Sequence, residues 1–169
     1  KGLKQYFPVS KKFTVRAVDN ISFDIYPGET YGLVGESGSG KSTTGRSIIR
    51  LYDPTEGTIL FNGEDISKKL TAKQEKMLRS DMQMVFQDPM ASLNPHKKIL
   101  DTIAMGLEAH HPHMDQKERV ERVSKMMEMV GLNPAYMNRY PNQFSGGQRQ
   151  RIGLGRALIM NPKLVIADE

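Results

Sequence analysis

Gly35-Glu36-Ser37-Gly38-Ser39-Gly40-Lys41-Ser42 decides the fold, with apolar residues 31–34 before it and residues 43–51 after it. The eight residues match G-x-x-x-x-G-K-[ST], a motif that needs a strand on its left and a helix on its right. A triphosphate crowds negative charge. Successive backbone N–H groups can wrap it only where no Cβ intervenes, and Gly35, Gly38 and Gly40 permit that approach. A helix starting near Lys41 aims its positive end at the phosphates. The Lys41 ammonium reaches the β/γ oxygens as a movable point charge, and Ser42 offers a hydroxyl to Mg²⁺. Ser37, Ser39 and Thr43 complete the set of binding positions. A glycine-rich turn with no ligand has no need of Lys41-Ser42.

Outward from this loop, two periodicities alternate. Ile21, Phe23 and Ile25 repeat every second residue and predict a strand, closed by the Pro27-Gly28 turn. Residues 30–34 predict a second strand, and residues 41–51 a helix ending before Asp53-Pro54. Residues 58–61 predict a strand closed by Asn62-Gly63, residues 68–79 a polar helix, and residues 82–86 a strand broken at Asp88-Pro89. From Ile99 to Met129 the pattern is helical. Val120, Val123, Met126, Met127 and Val130 share one face, a stripe that reads as core, and Gly131 follows as C-cap. A helix over 146–160 leads past Asn161-Pro162 into a strand over 163–168. Strands that precede helices imply an α/β fold with a mainly parallel sheet. The early alternating strands imply a small antiparallel sheet beside it.

Composition narrows the class. The chain of 169 residues can bury one sizeable core. It has no cysteine, which excludes disulfides, thiolate–zinc sites and thiol nucleophiles and suits a reducing compartment. No apolar run is long enough to span a bilayer, and residues 1–10 lack the apolar core of a signal peptide. The net charge of +5 comes from Lys and Arg scattered among Asp and Glu, which reads as a solvated surface rather than a nucleic-acid or membrane patch. His110, His111 and His113 flank Pro112 without the spacing of a helical metal site, and read as a surface loop.

A second acidic site ends the chain. The apolar Leu164-Val165-Ile166-Ala167 runs into Asp168-Glu169. In an open parallel sheet, ligands sit beyond the carboxyl ends of the strands. Asp168 is then placed to hold Mg²⁺ through water, and Glu169 to polarise an attacking water as general base. Alone, such a pair is equally a strand ending in solvated acids.

Phe144-Ser145-Gly146-Gly147-Gln148 separates this chain from other phosphate-loop proteins. Ser145 and Gln148 form a capping box. Gly146 and Gly147 are poor helix formers that a plain cap would not select. The pentapeptide, continued by Arg149-Gln150-Arg151 and Gly155-Arg156-Ala157-Leu158, resembles the signature of ATP-binding-cassette ATPases, and the likeness covers essentially the whole chain. It implies a phosphate-loop ATPase core, a small antiparallel β subdomain and a helical subdomain. The expected division is about 1–86 for core and β subdomain, 87–145 for a Q-loop and helical subdomain, and 146–169 for the signature helix and acidic strand.

Several residue roles come from the resemblance alone. Ser145, Gly146, Gly147 and Gln148 contact the γ-phosphate of ATP bound to a second, homologous or identical subunit in a head-to-tail dimer. Gln87 touches Mg²⁺ or its water and senses a transmembrane partner. An aromatic stacks on adenine; Tyr6 matches best, with Phe7 and Phe13 as competitors. A D-loop, a switch histidine and further strands follow Glu169, and none of His96, His110, His111 or His113 can serve as that histidine. Taken without those parts, the present residues are expected to hold nucleotide weakly, hydrolyse it poorly and leave an unpaired sheet edge.

Phe86-Gln87-Asp88-Pro89, continued to Pro95, resembles the oligopeptide, dipeptide and nickel importers of bacteria. That branch implies an ATPase on the cytoplasmic face of the membrane, working with permease subunits and an extracellular or periplasmic binding protein, without nucleic acid. The alternatives are a soluble cassette ATPase of translation or DNA repair, and a nucleotide-binding regulator without turnover.

Overall fold

The computed structural model describes residues 1–86 and 93–168. The chain divides into two compact units, Lys1–Glu75 and Lys76–Glu169.

In the first unit, strands β1 (Leu3–Ser10) and β2 (Phe13–Ile21) form an antiparallel hairpin. Its inner face buries Leu3, Gln5 and Val18. Gln5 stands opposite Val18 and Tyr6 opposite Arg16, so Ala17 is an extra residue that bulges from the ladder. Helix α1 (Lys41–Ile48) follows the glycine-rich loop and buries Thr44 and Ser47. Residues 55–58 run along β1: Thr55 N–H donates to the Lys4 carbonyl (2.9 Å) and Lys4 N–H to the Glu56 carbonyl (3.0 Å). Strands β3 (Leu60–Phe61) and β4 (Glu64–Asp65) make a second hairpin. Its two turn residues, Asn62 (φ 49°) and Gly63 (φ 81°), are both left-handed, the conformation that matches the twist of the strands.

Two expected strands are corrected here. Residues 22–25 and 30–34 are not strands. Alternation and β-propensity make a segment fit for pairing, but a strand exists only where a neighbour supplies the ladder. Among the described residues nothing does so for 30–34. Val34 is 93% exposed, and Tyr31 and Leu33 are also exposed. Phe23 instead stacks on Tyr31, with ring centroids 5.0 Å apart.

Helix α2 (Ala72–Asp81) crosses the unit boundary and leads into β5 (Met82–Val85). The second unit then holds α3 (Ile99–Ile103), α4 (Met105–His110), α5 (Gln116–Met129), α6 (Gly146–Leu158) and β6 (Leu164–Ala167). The single helical run expected from Ile99 is broken at Ala104 and again at residues 111–115, where Pro112 lacks the N–H a helix requires. Asp115 restarts it by accepting a hydrogen bond from the Lys117 N–H. The expected stripe is core: Val123 and Met127 are fully buried and pack with Ile99, Ile103 and Ile152. Gly131 (φ 72°) ends α5 in the left-handed conformation. Strands β5 and β6 pair in parallel, Met82 opposite Leu164 through Val85 opposite Ala167. Among the described residues β6 has no second neighbour.

Gly155 lies inside α6, at a position where the resembled family often carries alanine. A Cβ added there would meet Met126 Cγ at 3.4 Å, Ile103 Cδ1 at 3.6 Å and Val130 Cγ2 at 3.7 Å, ordinary apolar contacts. Gly155→Ala should therefore stabilise the full-length protein by about 0.5–1 kcal/mol through helix propensity. The check is the denaturant midpoint; a lower midpoint would show that α5 and α6 cannot accept the methyl.

Candidate functional site

The first unit carries the candidate phosphate loop. Residues 35–40 turn back on themselves, with the Ser39 N–H donating to the Glu36 carbonyl (3.2 Å). Lys41 closes the turn: its Nζ donates to the carbonyls of Gly35 and Glu36, both at 2.7 Å. The ammonium is thus held over the loop. Gly40 caps α1 at φ 92° with no side-chain cap, and no acidic residue lies in the first turn. The helix thus supplies no anion to its own positive end. Lys41, Ser42 and Thr43 make up that first turn, while Thr44 and Ser47 fasten it by donating to the carbonyls of Gly40 and Thr43 (both 2.9 Å).

Gly40 shows why this position tolerates only glycine. Besides its left-handed backbone, an added Cβ would lie 2.2 Å from the Ala17 carbonyl oxygen. The bulge in β2 is thus pressed against the start of α1. A second tie crosses the unit, since Ser47 Oγ donates to the buried Gln5 Oε1 (3.2 Å). Gln5 and Ala17 shape the cradle, and sequence reasoning passed over both. An alternating strand that keeps one glutamine on its buried face was the available signal for Gln5. Ala17 left none, because its part is played by a backbone carbonyl.

Tyr6 lies one residue from Gln5, opposite Arg16. Its hydroxyl donates to Asp19 Oδ1 (2.5 Å), which with desolvation raises the phenol's pKa, and the Arg16 guanidinium lies 5.5 Å from its ring centre. The competing Phe7 is engaged edge-on with Tyr52 (5.2 Å), and Phe13 stands exposed near the hairpin tip.

The second unit carries the glycine-paired helix tip. Ser145 is the N-cap of α6, and the capping box is formed: Gln148 N–H donates to Ser145 Oγ (3.3 Å) and Ser145 N–H to Gln148 Oε1 (2.9 Å). A Cβ added at Gly146 or Gly147 would meet nothing within 4 Å. Neither has a left-handed backbone. Among the described residues nothing inside the chain therefore calls for glycine at these two positions.

Asp168 follows β6 directly and donates its N–H to the Val85 carbonyl (3.0 Å). It stands at the carboxyl end of the parallel pair, as the sheet rule requires. Gln87 and Glu169 lie outside the described residues. The structure thus gathers Tyr6 and residues 35–43 in one unit, and Ser145, Gly146, Gly147, Gln148 and Asp168 in the other. His110 ends α4, its pKa lowered mainly by burial, with Lys76, His111 and Arg79 adding to the effect. Among the described residues no three metal-ligating side chains cluster, and no helix is long and apolar enough to cross a membrane.

Residues 18–169 match the family described as ABC transporter. The chain is 57% identical over its whole length to the oligopeptide transport ATP-binding protein OppF of Bacillus subtilis, spanning 55% of that protein. It is 50% identical over its whole length to OppF of Escherichia coli, spanning 50% of it. It thus spans about half the length of these curated relatives. Among solved structures, the dimeric post-hydrolysis state of the ATP-binding cassette MJ0796 bound to ADP and Pi superimposes on all of the chain with a TM-score of 0.90, at 30% identity and 72% coverage of the cassette.

Proposed function

This chain belongs to the ABC transporter family, and from that premise we propose that it is part of the ATPase subunit of a bacterial importer of oligopeptides. The observation that carries the reading is the pair Gly146-Gly147: two glycines at an uncrowded helix tip that serve nothing among the described residues. They permit the backbone of one subunit to close on an anion held by another, as in a dimeric cassette.

The residues divide the work. Tyr6 supplies a flat ring for adenine. Gly35, Ser37, Gly38, Ser39, Gly40 and Thr43 wrap the phosphates, and Lys41 neutralises the β/γ oxygens as negative charge builds there. The hard-oxygen donor set of Ser42 and Asp168, with Gln87, suits Mg²⁺, which takes few protein ligands and keeps water. Bound there, the ion neutralises phosphate charge. Glu169 accepts a proton from the attacking water, and Ser145, Gly146, Gly147 and Gln148 complete the site of the facing subunit. ATP closes the dimer, closure moves permease subunits, and hydrolysis resets it. The subunit works at the cytoplasmic face of the membrane, and a binding protein outside the cell delivers the peptide. The relatives' transport names weigh against a role in translation or DNA repair.

A tagged full-length protein should co-isolate with hydrophobic permease subunits from detergent-solubilised bacterial membranes. Isolation with ribosomes or DNA instead would overturn the importer reading. Glu169→Gln should cut its steady ATP turnover roughly a hundredfold while leaving nucleotide binding intact. Unchanged turnover would remove Glu169 as the base.

A further inference from the structure

The peptide unit that enters the signature helix is held at both ends. Its N–H, on Ser145, donates to Gln148 Oε1 at 2.9 Å. Its carbonyl, on Phe144, accepts a hydrogen bond from Arg149 Nη1. Two consecutive side chains of α6 thus reach back past the helix start, one to each side of a single amide plane. This direction is natural, since helical side chains lean toward the N-terminus. The capping box accounts for Gln148. It does not account for Arg149, which lies outside the Ser145–Gln148 box.

Stability gives no clear reason for Arg149 either. Phe144 is already buried, set edge-on against Tyr136 with ring centroids 6.3 Å apart. The Nε of Arg149 is enclosed and has no hydrogen-bond partner among the described residues. An enclosed donor left unsatisfied costs free energy that an apolar side chain of similar length would not. That cost is set against the hydrogen bond from Nη1 to the Phe144 carbonyl, so the clamp adds little net to folding. The clamp has an evident product: it fixes the plane from which Ser145, Gly146 and Gly147 project.

We propose that Arg149 is a positioning residue for the γ-phosphate of ATP on the facing subunit, acting by locking the Phe144–Ser145 amide so that the tip of α6 is preformed before the dimer closes. The proposal rests on the reading of that tip as the element closing over the partner's nucleotide. Arg149 itself touches no phosphate. It removes the reorientation that an unclamped amide must undergo as the dimer forms.

The test uses the full-length protein carrying Glu169→Gln, so that ATP is held unhydrolysed, with Arg149→Met and Arg149→Lys added separately. Dimer formation against ATP concentration is read by size-exclusion light scattering. Nucleotide affinity of the monomer is read below the dimerisation range with a fluorescent ATP analogue. Arg149→Met should raise the ATP concentration for half-maximal dimerisation roughly tenfold, the cost of ordering one peptide unit that the clamp orders in advance. It should leave monomer affinity unchanged and the melting temperature equal or higher. Arg149→Lys, which keeps a donor on a long stem, should recover most of the loss. In the hydrolysing background, kcat should fall while KM holds. Dimerisation of Arg149→Met at the reference ATP concentration would overturn the proposal alone. A drop in melting temperature that accounts for the defect in both variants would also overturn it, making Arg149 a folding residue. If the Glu169→Gln protein fails to dimerise with ATP both with itself and with a homologous subunit of its transporter, the underlying reading of α6 falls, and this proposal with it.

Discussion

Lys41→Ala in the full-length protein should weaken Mg-ATP binding by about two orders of magnitude, roughly 3 kcal/mol, and lower turnover about a thousandfold. The ammonium is held over the loop by the carbonyls of Gly35 and Glu36 at 2.7 Å each. Because the loop already holds it there, little ordering of the side chain remains to be done when nucleotide arrives. Removing it leaves the cradle with backbone dipoles but no full positive charge facing the β/γ oxygens. Lys41→Arg should fail nearly as badly, because a planar fork cannot occupy the place of a compact ammonium seated between two carbonyls. Isothermal titration at millimolar nucleotide, with and without Mg²⁺, reads the affinity, and phosphate release reads the turnover. Unaltered Mg-dependent binding by Lys41→Ala would remove the phosphate cradle as the nucleotide site.

Gly147→Asp should spare stability and do comparable damage to activity. The position is open: an added Cβ meets nothing within 4 Å among the described residues. It sits in the first turn of α6, where a carboxylate interacts favourably with the helix dipole, worth about 0.3–1 kcal/mol. Aspartate is also a better helix former than glycine. The melting temperature should therefore hold or rise slightly. In the closed dimer proposed above the same carboxylate would face the partner's γ-phosphate, a like-charge contact costing several kcal/mol. ATP-driven dimerisation should be lost and turnover reduced about a thousandfold, with monomer nucleotide affinity unchanged. A variant that melts lower and still dimerises would show that the glycine serves the fold of α6 and not the approach of a second subunit.

How far the sequence could be read depended on whether a feature is local. The helix start at Lys41, the Ser145–Gln148 box, the left-handed Asn62-Gly63 turn and the core stripe through Val123 and Met127 are all set by neighbours a few residues apart. Their spacing announces them. Residues 30–34 read as a strand because their side chains suit one, yet the ladder that makes a strand is a property of a partner. The break at Ala104 has no proline to mark it; the chain leaves one helix at a buried alanine and starts another at the exposed Met105. The Ala17 bulge was hidden for a related reason. Its carbonyl meets Gly40, 23 residues on, and no residue type advertises a backbone oxygen. The signature was recognised by its five residues, but the Arg149 clamp came into view only when the Phe144 carbonyl could be located. Gln87 and Glu169 remain readings of sequence, since both lie outside the described residues.

The seating of Gly40 under Ala17, and of Ser47 against Gln5, has a consequence for biosynthesis. Both of these contacts join positions within the first 50 residues, and their unit closes by Glu75. Translation delivers the chain from its amino end. Both contacts can therefore form while the signature helix is still unsynthesised, so this part of the loop's scaffold is laid down ahead of its helical counterpart.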